Sequence, residues 1–331
     1  MTRSPAFWWR PRPGLAAAVL APVGALWGAI AAIRMARDGA VIGIPVVTIG
    51  NFVAGGAGKT PTAIALAGLL DANERLFFLT RGHGGRLGRS PTLVDLAKHN
   101  ATDVGDEALL LARVAPTVVA RDRRLGALAA KASGATVVVQ DDGLQSNALK
   151  PCLAFAVVDA AIGIGNGRCL PGGPLRAPLA AQWRRTSAVL LVGEGASRGD
   201  LASQAANEGK LALTASLKAD DETVKRASGR KFVAFAGIGR PSKFFDTLRE
   251  IGALLVATRE FADHRVYTKT DLDALRGLAQ GLNADLITTE KDAVRLPAAF
   301  QVEKLPVRLV FDDPQRAGDL LRKAIEGARR S

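Results

Sequence analysis

Residues 44–62 contain the feature that most constrains the fold of this chain. An apolar run, Val46 to Ile49, enters a glycine-rich loop that ends in Gly58-Lys59-Thr60, and an Ala- and Leu-rich segment follows from Thr62 to Leu70. A strand, a glycine loop and a helix in this order are the setting of a phosphate-binding loop. Glycines allow backbone N–H groups to close around phosphate oxygens, and the helix N-terminus adds positive potential. The stretch therefore predicts an α/β fold with a nucleotide-phosphate site at its loop.

The glycine loop departs at one position from the strict pattern G-x-x-x-x-G-K-[ST]. Val53 stands where that pattern requires its first glycine. A glycine-rich surface turn is the alternative interpretation, and the flanking strand and helix argue against it. We expect Lys59 to reach the β- and γ-phosphates and the Thr60 hydroxyl to hold Mg²⁺. The predicted phosphate-binding residues are Gly55, Gly56, Ala57, Gly58, Lys59 and Thr60.

Two further segments carry neighbouring carboxylates. The apolar run from Ala135 to Val139 leads through one glutamine into Asp141 and Asp142. A carboxylate at a strand tip can hold Mg²⁺ beside the phosphate loop, so this segment predicts a metal site. Asp106 and Glu107 stand at the start of an apolar helical run. That pattern fits acidic residues in a first helical turn as well as it fits a catalytic role, and the residues alone leave both open.

Loops with arginine follow other predicted strands. Arg81 lies just beyond the apolar run from Leu76 to Leu79. Arg168 and Arg176 lie in a long Gly- and Pro-rich loop, residues 163–178. Ligands of α/β sheets bind at the carboxyl ends of the strands, and long loops without secondary structure are often functional. We interpret the 163–178 segment as a substrate loop.

The charge balance indicates an anionic partner. The 331-residue chain has a formal charge of +13 at pH 7. Nucleic acid, acidic lipid headgroups and a phosphorylated substrate all fit such a surplus. Aromatic residues make up only 5% of the chain, which argues against a base-stacking nucleic-acid surface. The two cysteines, Cys152 and Cys169, fit neither a metal spacing nor a disulfide framework, so a reducing compartment is expected.

The N-terminal segment has the pattern of a helix at a membrane interface. Residues 15–33 are nineteen positions without a charge. Basic residues on both sides and tryptophans at the edge suit the boundary between lipid and water. A helix buried against a folded domain is the alternative. The flanking residues are Arg3, Trp8, Trp9, Arg10 and Arg12 before the segment and Arg34 and Arg37 after it.

A second α/β pattern begins at Lys231, after a polar stretch, residues 195–230, that we interpret as a linker. Across the whole chain, short motifs in one order resemble those of the tetraacyldisaccharide 4′-kinase family. Each motif is weak alone, but the set covers nearly the whole chain. The motifs are Gly50-Asn51, Gly55–Pro61, Arg81-Gly82, Gly105–Glu107, Asp141–Gln145, Gly165–Arg168, Pro174–Arg176, Ala236–Gly239, Asp263-His264 and Thr289–Val294.

The resemblance implies a lipid kinase. In that family, the γ-phosphoryl of ATP moves to the 4′-hydroxyl of a tetraacylated glucosamine disaccharide 1-phosphate, at the cytosolic face of the bacterial inner membrane. The implied partners are ATP, Mg²⁺, the lipid disaccharide and the membrane surface, without nucleic acid, and the implied protein is a monomer. The implied fold has two α/β/α sandwich domains and a hinge of two strands. The expected boundaries are a membrane-associated helix at 1–38, a phosphate-loop domain at 39–212 and a smaller α/β domain at 213–331.

The resemblance also implies roles for individual residues. Asp106 is the implied general base, paired with His264 from the second domain, and Lys59 is the implied catalytic cation. Thr60 and Asp142 would hold Mg²⁺, with Asp141 and Glu107 nearby. The expected substrate contacts are Asn51, Arg81, Arg168 and Arg176.

Three positions depart from the family pattern, and two other functions stay open. His83 stands where the family usually has an aromatic residue, Ser146 where it has histidine, and Ala177 where glutamate is common. The departures concern details of lipid or Mg²⁺ contacts. They leave a core set of residues in place, so we still expect an active kinase; that set is Lys59, Thr60, Asp106, Asp142 and His264. A membrane-associated P-loop ATPase switch is one alternative, although Ala54 replaces its signature lysine. A soluble small-molecule kinase with its N-terminal helix packed on the core is the other.

Overall fold

The computed structural model describes residues 4–10 and 12–330, so Arg3 of the predicted basic flank lies outside the described residues. The strands are β1 Val46–Gly50, β2 Leu76–Thr80, β3 Thr92–Leu93, β4 Thr117–Val119, β5 Val137–Gln140, β6 Leu153–Asp159, β7 Ala188–Val192, β8 Leu211–Ala219, β9 Lys231–Ala236, β10 Leu254–Glu260, β11 Asp285–Thr289, β12 Glu303–Leu305 and β13 Val307–Phe311. The helices are α1 Leu15–Val19, α2 Ala21–Met35, α3 Lys59–Ala67, α4 Ala101–Val104, α5 Asp106–Ala112, α6 Arg123–Ala132, α7 Leu179–Arg185, α8 Ser197–Asn207, α9 Asp221–Ala227, α10 Pro241–Glu250, α11 Lys269–Gly281, α12 Glu290–Ala293 and α13 Pro314–Arg330, with a 3₁₀ turn at Ala6–Trp9.

Within these residues the strands form a large and a small sheet. The large sheet has the order β13-β8-β7-β6-β1-β5-β2-β4-β3, and the small sheet has the order β10-β9-β11-β12. All neighbouring strands are parallel except β3 with β4 and β13 with β8. The predicted mixed α/β fold with a mainly parallel sheet is confirmed.

Helices cover both faces of the large sheet. Alternate residues of β1, β5, β6 and β7 pack against α3, α5 and α13 on one face. The intervening residues pack against α6, α7 and α8 on the other face. A strand buried on both faces needs a continuous apolar run rather than alternation, which is why the predicted strand at Val46 is β-branched throughout. β1 lies in the middle of this sheet, between β5 and β6.

Two connections link the sheets, and they lie side by side. β8 and β13 pair antiparallel with Val307 opposite Ala219, and the chain passes to and from the small sheet at these residues. The predicted boundary between residues 212 and 213 falls inside β8, and β13 and α13 return to the large sheet. The division of the chain into three domains at the predicted boundaries stays a prediction.

The polar stretch 195–230 is not an irregular linker, although one connection between the two sheets runs through it. It forms α8, β8 and α9, and Leu201 and Ala205 of α8 are buried in the core of the large sheet. Composition was misleading here because α8 is a surface helix, which needs apolar residues only on the side that faces the sheet.

The N-terminal helices pack by a face of small residues on the loop that carries Arg168. Gly24 has no room for a side chain, since a Cβ atom there would lie 2.8 Å from the carbonyl oxygen of Cys169. The Nε1 of Trp8 donates to the carbonyl of Pro171. The opposite face is exposed and apolar. No helix in the described ranges has both the length and the hydropathy needed to cross a membrane. The exposed residues are Leu15, Val19, Val23, Leu26, Trp27, Ile30 and Ile33.

Candidate active site

The glycine loop turns at the carboxyl end of β1 and leads into α3. Gly55 and Gly58 have φ angles of +124° and +86°, which glycine adopts without the steric cost that a Cβ atom imposes. A Cβ atom at Gly55, Gly56 or Gly58 would meet nothing within 4 Å, so this side of the loop is open. The side chain of Asn51 is buried and its Nδ2 donates to the carbonyl of Gly55, 3.1 Å away. Asn51, a predicted substrate contact, therefore shapes the loop.

Thr60 meets Asp141 at the N-terminus of α3. Its Oγ1 donates to Oδ2 of Asp141 over 3.1 Å. The other carboxylate oxygen, Oδ1, is buried and has no hydrogen-bond partner among residues 4–10 and 12–330. Burial raises the pKa of Asp141, and the negative charge of Glu107 raises it further, while Lys59 opposes both. A cation at this carboxylate would compensate for its burial.

Asp142 lies with two cations. Its Oδ1 is 3.6 Å from Nζ of Lys59, and Nη1 of Arg176 donates to both of its oxygens at 2.9 and 3.0 Å. Burial alone would raise the pKa of Asp142, but the charges of Lys59 and Arg176 hold it well below its usual range. The φ of Asp142 is +52°, and Arg123 donates to the carbonyls of Asp141 and Asp142 at 2.8 and 3.0 Å. The two adjacent aspartates thus have different partners.

Asp106 and His264 meet although they come from different halves of the molecule. Asp106 is the first residue of α5, and His264 lies in the loop after β10. Nδ1 of His264 is 3.2 Å from Oδ2 of Asp106, and the backbone N–H of Glu107 donates to Oδ1 over 3.0 Å. Burial would raise the pKa of Asp106, but the hydrogen bond from His264 and the charges of Lys291 and Arg295 hold it below its usual range. The carboxylate is therefore ionised at neutral pH.

Glu107, like Asp106, contacts a residue of the half of the molecule that contains the small sheet. Its Oε1 accepts from Nζ of Lys291 over 3.2 Å, and the same Nζ lies 3.5 Å from Nε2 of His264. Within the described residues no three His, Cys, Asp or Glu side chains form a ready cluster for a metal ion. Of the four predicted metal residues, the structure brings Thr60 and Asp141 into contact and places Glu107 with Lys291.

These groups surround one cleft of about 2010 Å³ between the two sheets. The phosphate loop, Asp142 and Arg176 line its large-sheet side, and His264 and Lys291 line its small-sheet side. Arg81 and His83 also line it, and the ring of His83 lies 5.1 Å from that of His264. Ser146 lies on the wall, whereas Ala177 is buried.

Arg168, the remaining predicted substrate contact, lies apart from this wall. Its loop packs against the N-terminal segment, and its backbone N–H donates to Oδ1 of Asn166. Its Nε is buried without a partner in the described part of the chain. Arg168 is therefore placed near the N-terminal helices, whereas Arg176 of the same loop is held at Asp142.

Sequence reasoning assigned no role to Lys291 and Arg295, which both approach Asp106. Lys291 lies inside the Thr289–Val294 motif and Arg295 follows it directly. The only signal in the sequence was this cluster of charges after a buried strand, and nothing local tells which distant carboxylate it meets. Sequence reasoning also assigned no role to Arg123, because nothing local indicates that it bonds to the backbone of Asp141 and Asp142.

Comparison with known proteins agrees with the fold and the motifs. The family model described as LpxK, tetraacyldisaccharide-1-P 4′-kinase, matches residues 16–326. A tetraacyldisaccharide 4′-kinase of Methylobacterium sp. (strain 4-46) is 54% identical over 310 residues, which cover 93% of each chain. The protein of that name from Methylobacterium nodulans is 51% identical over 316 residues, 95% of this chain and 94% of its own.

A solved structure has the same fold. The crystal structure of the "apo" form of LpxK from Aquifex aeolicus in complex with ATP has a TM-score of 0.74 to this chain at 23% identity, and the match covers 94% of this chain and 100% of that one. With the family match across residues 16–326 and relatives at half identity over almost their full length, the chain belongs to the tetraacyldisaccharide 4′-kinase family.

Proposed function

We propose that the protein transfers the γ-phosphoryl of ATP to the 4′-hydroxyl of a tetraacyldisaccharide 1-phosphate, a precursor of lipid A. The observation that carries this proposal is the arrangement of the cleft: the open phosphate loop lies on the large-sheet side, and His264 on the facing side is paired with Asp106 of the large-sheet half. The Aquifex aeolicus relative was solved with ATP, which supports ATP as the donor here. Phosphoryl transfer needs positioning and charge neutralisation more than covalent chemistry, and the cleft supplies both.

The phosphate loop would hold the donor. The loop is open at its glycines, and α3 begins directly within it at Lys59, so the N-terminus of this helix lies at the open side. Lys59 lies 3.6 Å from Asp142, so it is held at the loop and can exchange this partner for phosphate oxygens. Amide groups at a helix N-terminus and one lysine are a common phosphate site.

The residues at the loop also fit Mg²⁺. The unpartnered Oδ1 of Asp141 and the Thr60 hydroxyl beside its other oxygen are hard oxygen ligands of the kind that Mg²⁺ takes. Thr60 and Asp141 would bind the ion. Asp142 and Glu107 are paired with Lys59, Arg176 and Lys291, and they would lie near the ion without binding it directly. Bound there, Mg²⁺ supplies charge neutralisation at the β- and γ-phosphates.

Asp106 would accept the proton of the sugar hydroxyl. Its carboxylate is ionised, and His264 on the cleft wall is bonded to it over 3.2 Å. A base must lie within hydrogen-bond reach of the proton that it takes. Since the two residues come from opposite sides of the cleft, opening the cleft separates them and closing it restores the pair.

We infer that the two sheets are the cores of two α/β/α domains. The antiparallel β8–β13 pair carries both connections between them, which is the arrangement expected of a two-stranded hinge. Motion about this pair would move His264 relative to the phosphate loop.

We propose that the N-terminal helices lie on the cytosolic face of the inner membrane. Their exposed apolar residues form one stripe, and Arg10, Arg12, Arg34 and Arg37 beside it are exposed. α2 has 15 residues, about 22 Å at a rise of ~1.5 Å per residue, whereas the hydrocarbon core is ~30 Å thick. An apolar stripe flanked by arginines suits a helix lying in the interface and attracts anionic lipid. At this surface the N-terminal helices would meet the acyl chains of the lipid substrate.

The activity test uses purified protein, ATP, Mg²⁺ and tetraacyldisaccharide 1-phosphate in detergent micelles. We expect a bisphosphorylated lipid, and we expect the Lys59→Ala variant to make little of it. Folded wild-type protein that hydrolyses ATP but leaves the lipid unchanged would support an ATPase switch instead, and transfer to a water-soluble acceptor alone would support a soluble kinase.

The membrane test is co-sedimentation with vesicles that contain anionic lipid. Leu26→Asp places a charge on the exposed stripe and should lower binding about tenfold, since burying one leucine is worth ~1.5–3 kcal/mol. Leu93→Asp is the matched control, because Leu93 is exposed on β3. Equal binding of both variants would refute the proposed membrane face.

A further inference from the structure

Arg295 is almost completely buried at the junction between the two halves of the cleft. Its side chain is 5% exposed, and all three of its guanidinium nitrogens are bonded. Nε donates to Oδ2 of Asp106 over 2.9 Å, and Nη2 donates to the same oxygen. Nη1 donates to the carbonyl of Gly237 over 2.9 Å and to Oδ1 of Asp292 over 3.0 Å. One side chain thus joins a carboxylate of the large-sheet half to two acceptors of the small-sheet half.

The small-sheet end of this bridge is rigid. Asp292 is fully buried, and Oδ1 also accepts from the hydroxyl of Tyr267 over 2.7 Å and from the backbone N–H of Gly237 over 3.0 Å. Its Oδ2 accepts from the Thr289 hydroxyl over 2.7 Å. Buried polar groups with complete hydrogen bonding hold a single arrangement. Arg295 therefore extends from a fixed base.

Gly237 connects the bridge to His264. Its carbonyl accepts from Nη1 of Arg295 and from the backbone N–H of His264, 3.3 Å away. The same short loop approaches the phosphate loop so closely that a Cβ atom at Gly239 would lie 3.6 Å from the backbone nitrogen of Gly56. Arg295 is thus bonded to the side chain of Asp106 and, through one shared carbonyl, to the backbone that places His264.

A buried arginine needs only one carboxylate for its charge, and Asp292 one helical turn away already supplies it. The bonds to Asp106 reach across the cleft to a residue 189 positions away in the chain. They fix Oδ2 of Asp106 on the side of His264, while the N–H of Glu107 fixes Oδ1. The planar guanidinium can serve acceptors in several directions at once, which a lysine ammonium on its single stem cannot do as rigidly.

We propose that Arg295 is a positioning residue of the kinase, one that orients the Asp106 carboxylate toward His264 by tying it to the Asp292–Gly237 network when the cleft is closed. The inference rests on the proposed function, since it assigns Arg295 a role in the same phosphoryl transfer. Arg295 touches neither lipid nor nucleotide in this role. Its loss therefore slows turnover and leaves the binding of both substrates unchanged.

The experiment measures kcat and KM for ATP and for the lipid in six proteins: wild type, Arg295→Met, Arg295→Lys, Asp106→Asn and the double variants Arg295→Met/Asp106→Asn and Arg295→Lys/Asp106→Asn. We expect Arg295→Met to lower kcat by about 10²-fold, the cost of misplacing a catalytic group by roughly 1 Å, with each KM within about twofold of wild type. Arg295→Lys should recover part of that loss. In the Asp106→Asn background, Arg295→Met should change kcat by less than about threefold, because residues that act as a unit are not additive.

Arg276→Met is the matched control, because Arg276 belongs to the same half, is half exposed and packs over Phe300. A folded Arg295→Met protein with kcat within twofold of wild type would overturn the inference, as would equal losses in the two Asp106 backgrounds. If Arg295→Met does not fold, Arg295→Lys decides: lower kcat only where Asp106 is present supports the inference, and wild-type kcat overturns it. Absence of lipid phosphorylation by wild type would instead reject the proposed function.

Discussion

Replacing Asp106 by asparagine tests the centre of the site, since the change removes one charge and almost no volume. The carboxylate is 3% exposed and meets His264, Lys291 and Arg295. Breaking a buried ion pair usually costs about 3–5 kcal/mol, because the partner charge is left uncompensated. Here two of the partners keep another carboxylate: Lys291 keeps Glu107 at 3.2 Å, and Arg295 keeps Asp292 at 3.0 Å.

We therefore expect Asp106→Asn to lower the free energy of unfolding by about 2–3 kcal/mol, at or just below the low end of that range. The measurement is urea unfolding at pH 8, where the lowered pKa of Asp106 keeps it fully ionised in the folded wild type. Turnover should fall by about 10²- to 10⁴-fold, as for loss of a general base, with KM for ATP within about threefold.

Asp103→Asn provides the control. Asp103 is a buried aspartate on the neighbouring helix α4, but its partners are the backbone of Asn100 and the side chain of Arg86, away from the cleft. It should lose about 1–2 kcal/mol of stability through its cap and ion pair and keep its turnover. If Asp106→Asn turned over lipid within tenfold of wild type, or if Asp103→Asn lost as much turnover, the assignment of Asp106 as base would be refuted.

Three other substitutions test separate parts of the site. Lys59→Ala should lower kcat by about 10²-fold or more while ATP affinity changes far less, and steady-state kinetics with equilibrium nucleotide binding separate the two. Thr60→Val removes the hydroxyl bonded to Asp141 and should weaken the apparent Mg²⁺ affinity about tenfold, so an unchanged Mg²⁺ titration would move the metal elsewhere. Tyr267→Phe removes one donor to the buried carboxylate of Asp292 and should cost about 1.5–3 kcal/mol in urea unfolding with no loss of ATP binding, whereas unchanged stability would contradict the importance of that network.

The sequence predicted correctly those features that are formed by residues close together in the chain. The phosphate loop could be recognised because a buried parallel strand, a turn that needs positive φ and a helix start each leave their mark within a few residues. The predicted helix at 15–33 is present as α1 and α2, and the first carboxylate of α5 stands where the acidic pair predicted a helix start. At residues 195–230 the polar composition wrongly suggested an irregular linker, because only one face of α8 needs to be apolar.

The order of the strands in the sheet determines which charged side chains meet, which the sequence did not predict. Asp141 meets Thr60 across 81 positions because β5 lies next to β1, whereas the adjacent Asp142, which has a positive φ, contacts Arg176 instead. The Asp106–His264 pair was expected only from the family resemblance, and Arg295 was not expected at all.

The sequence by itself therefore determined the mixed α/β class, the phosphate loop and the family, since each depends on short-range pattern or on motif order. Only the tertiary structure decided which charged side chains share the cleft. Contacts between residues 81 to 189 positions apart depend on sheet order and on how two halves of the chain meet, and neither leaves a periodic signal in the residues that make those contacts.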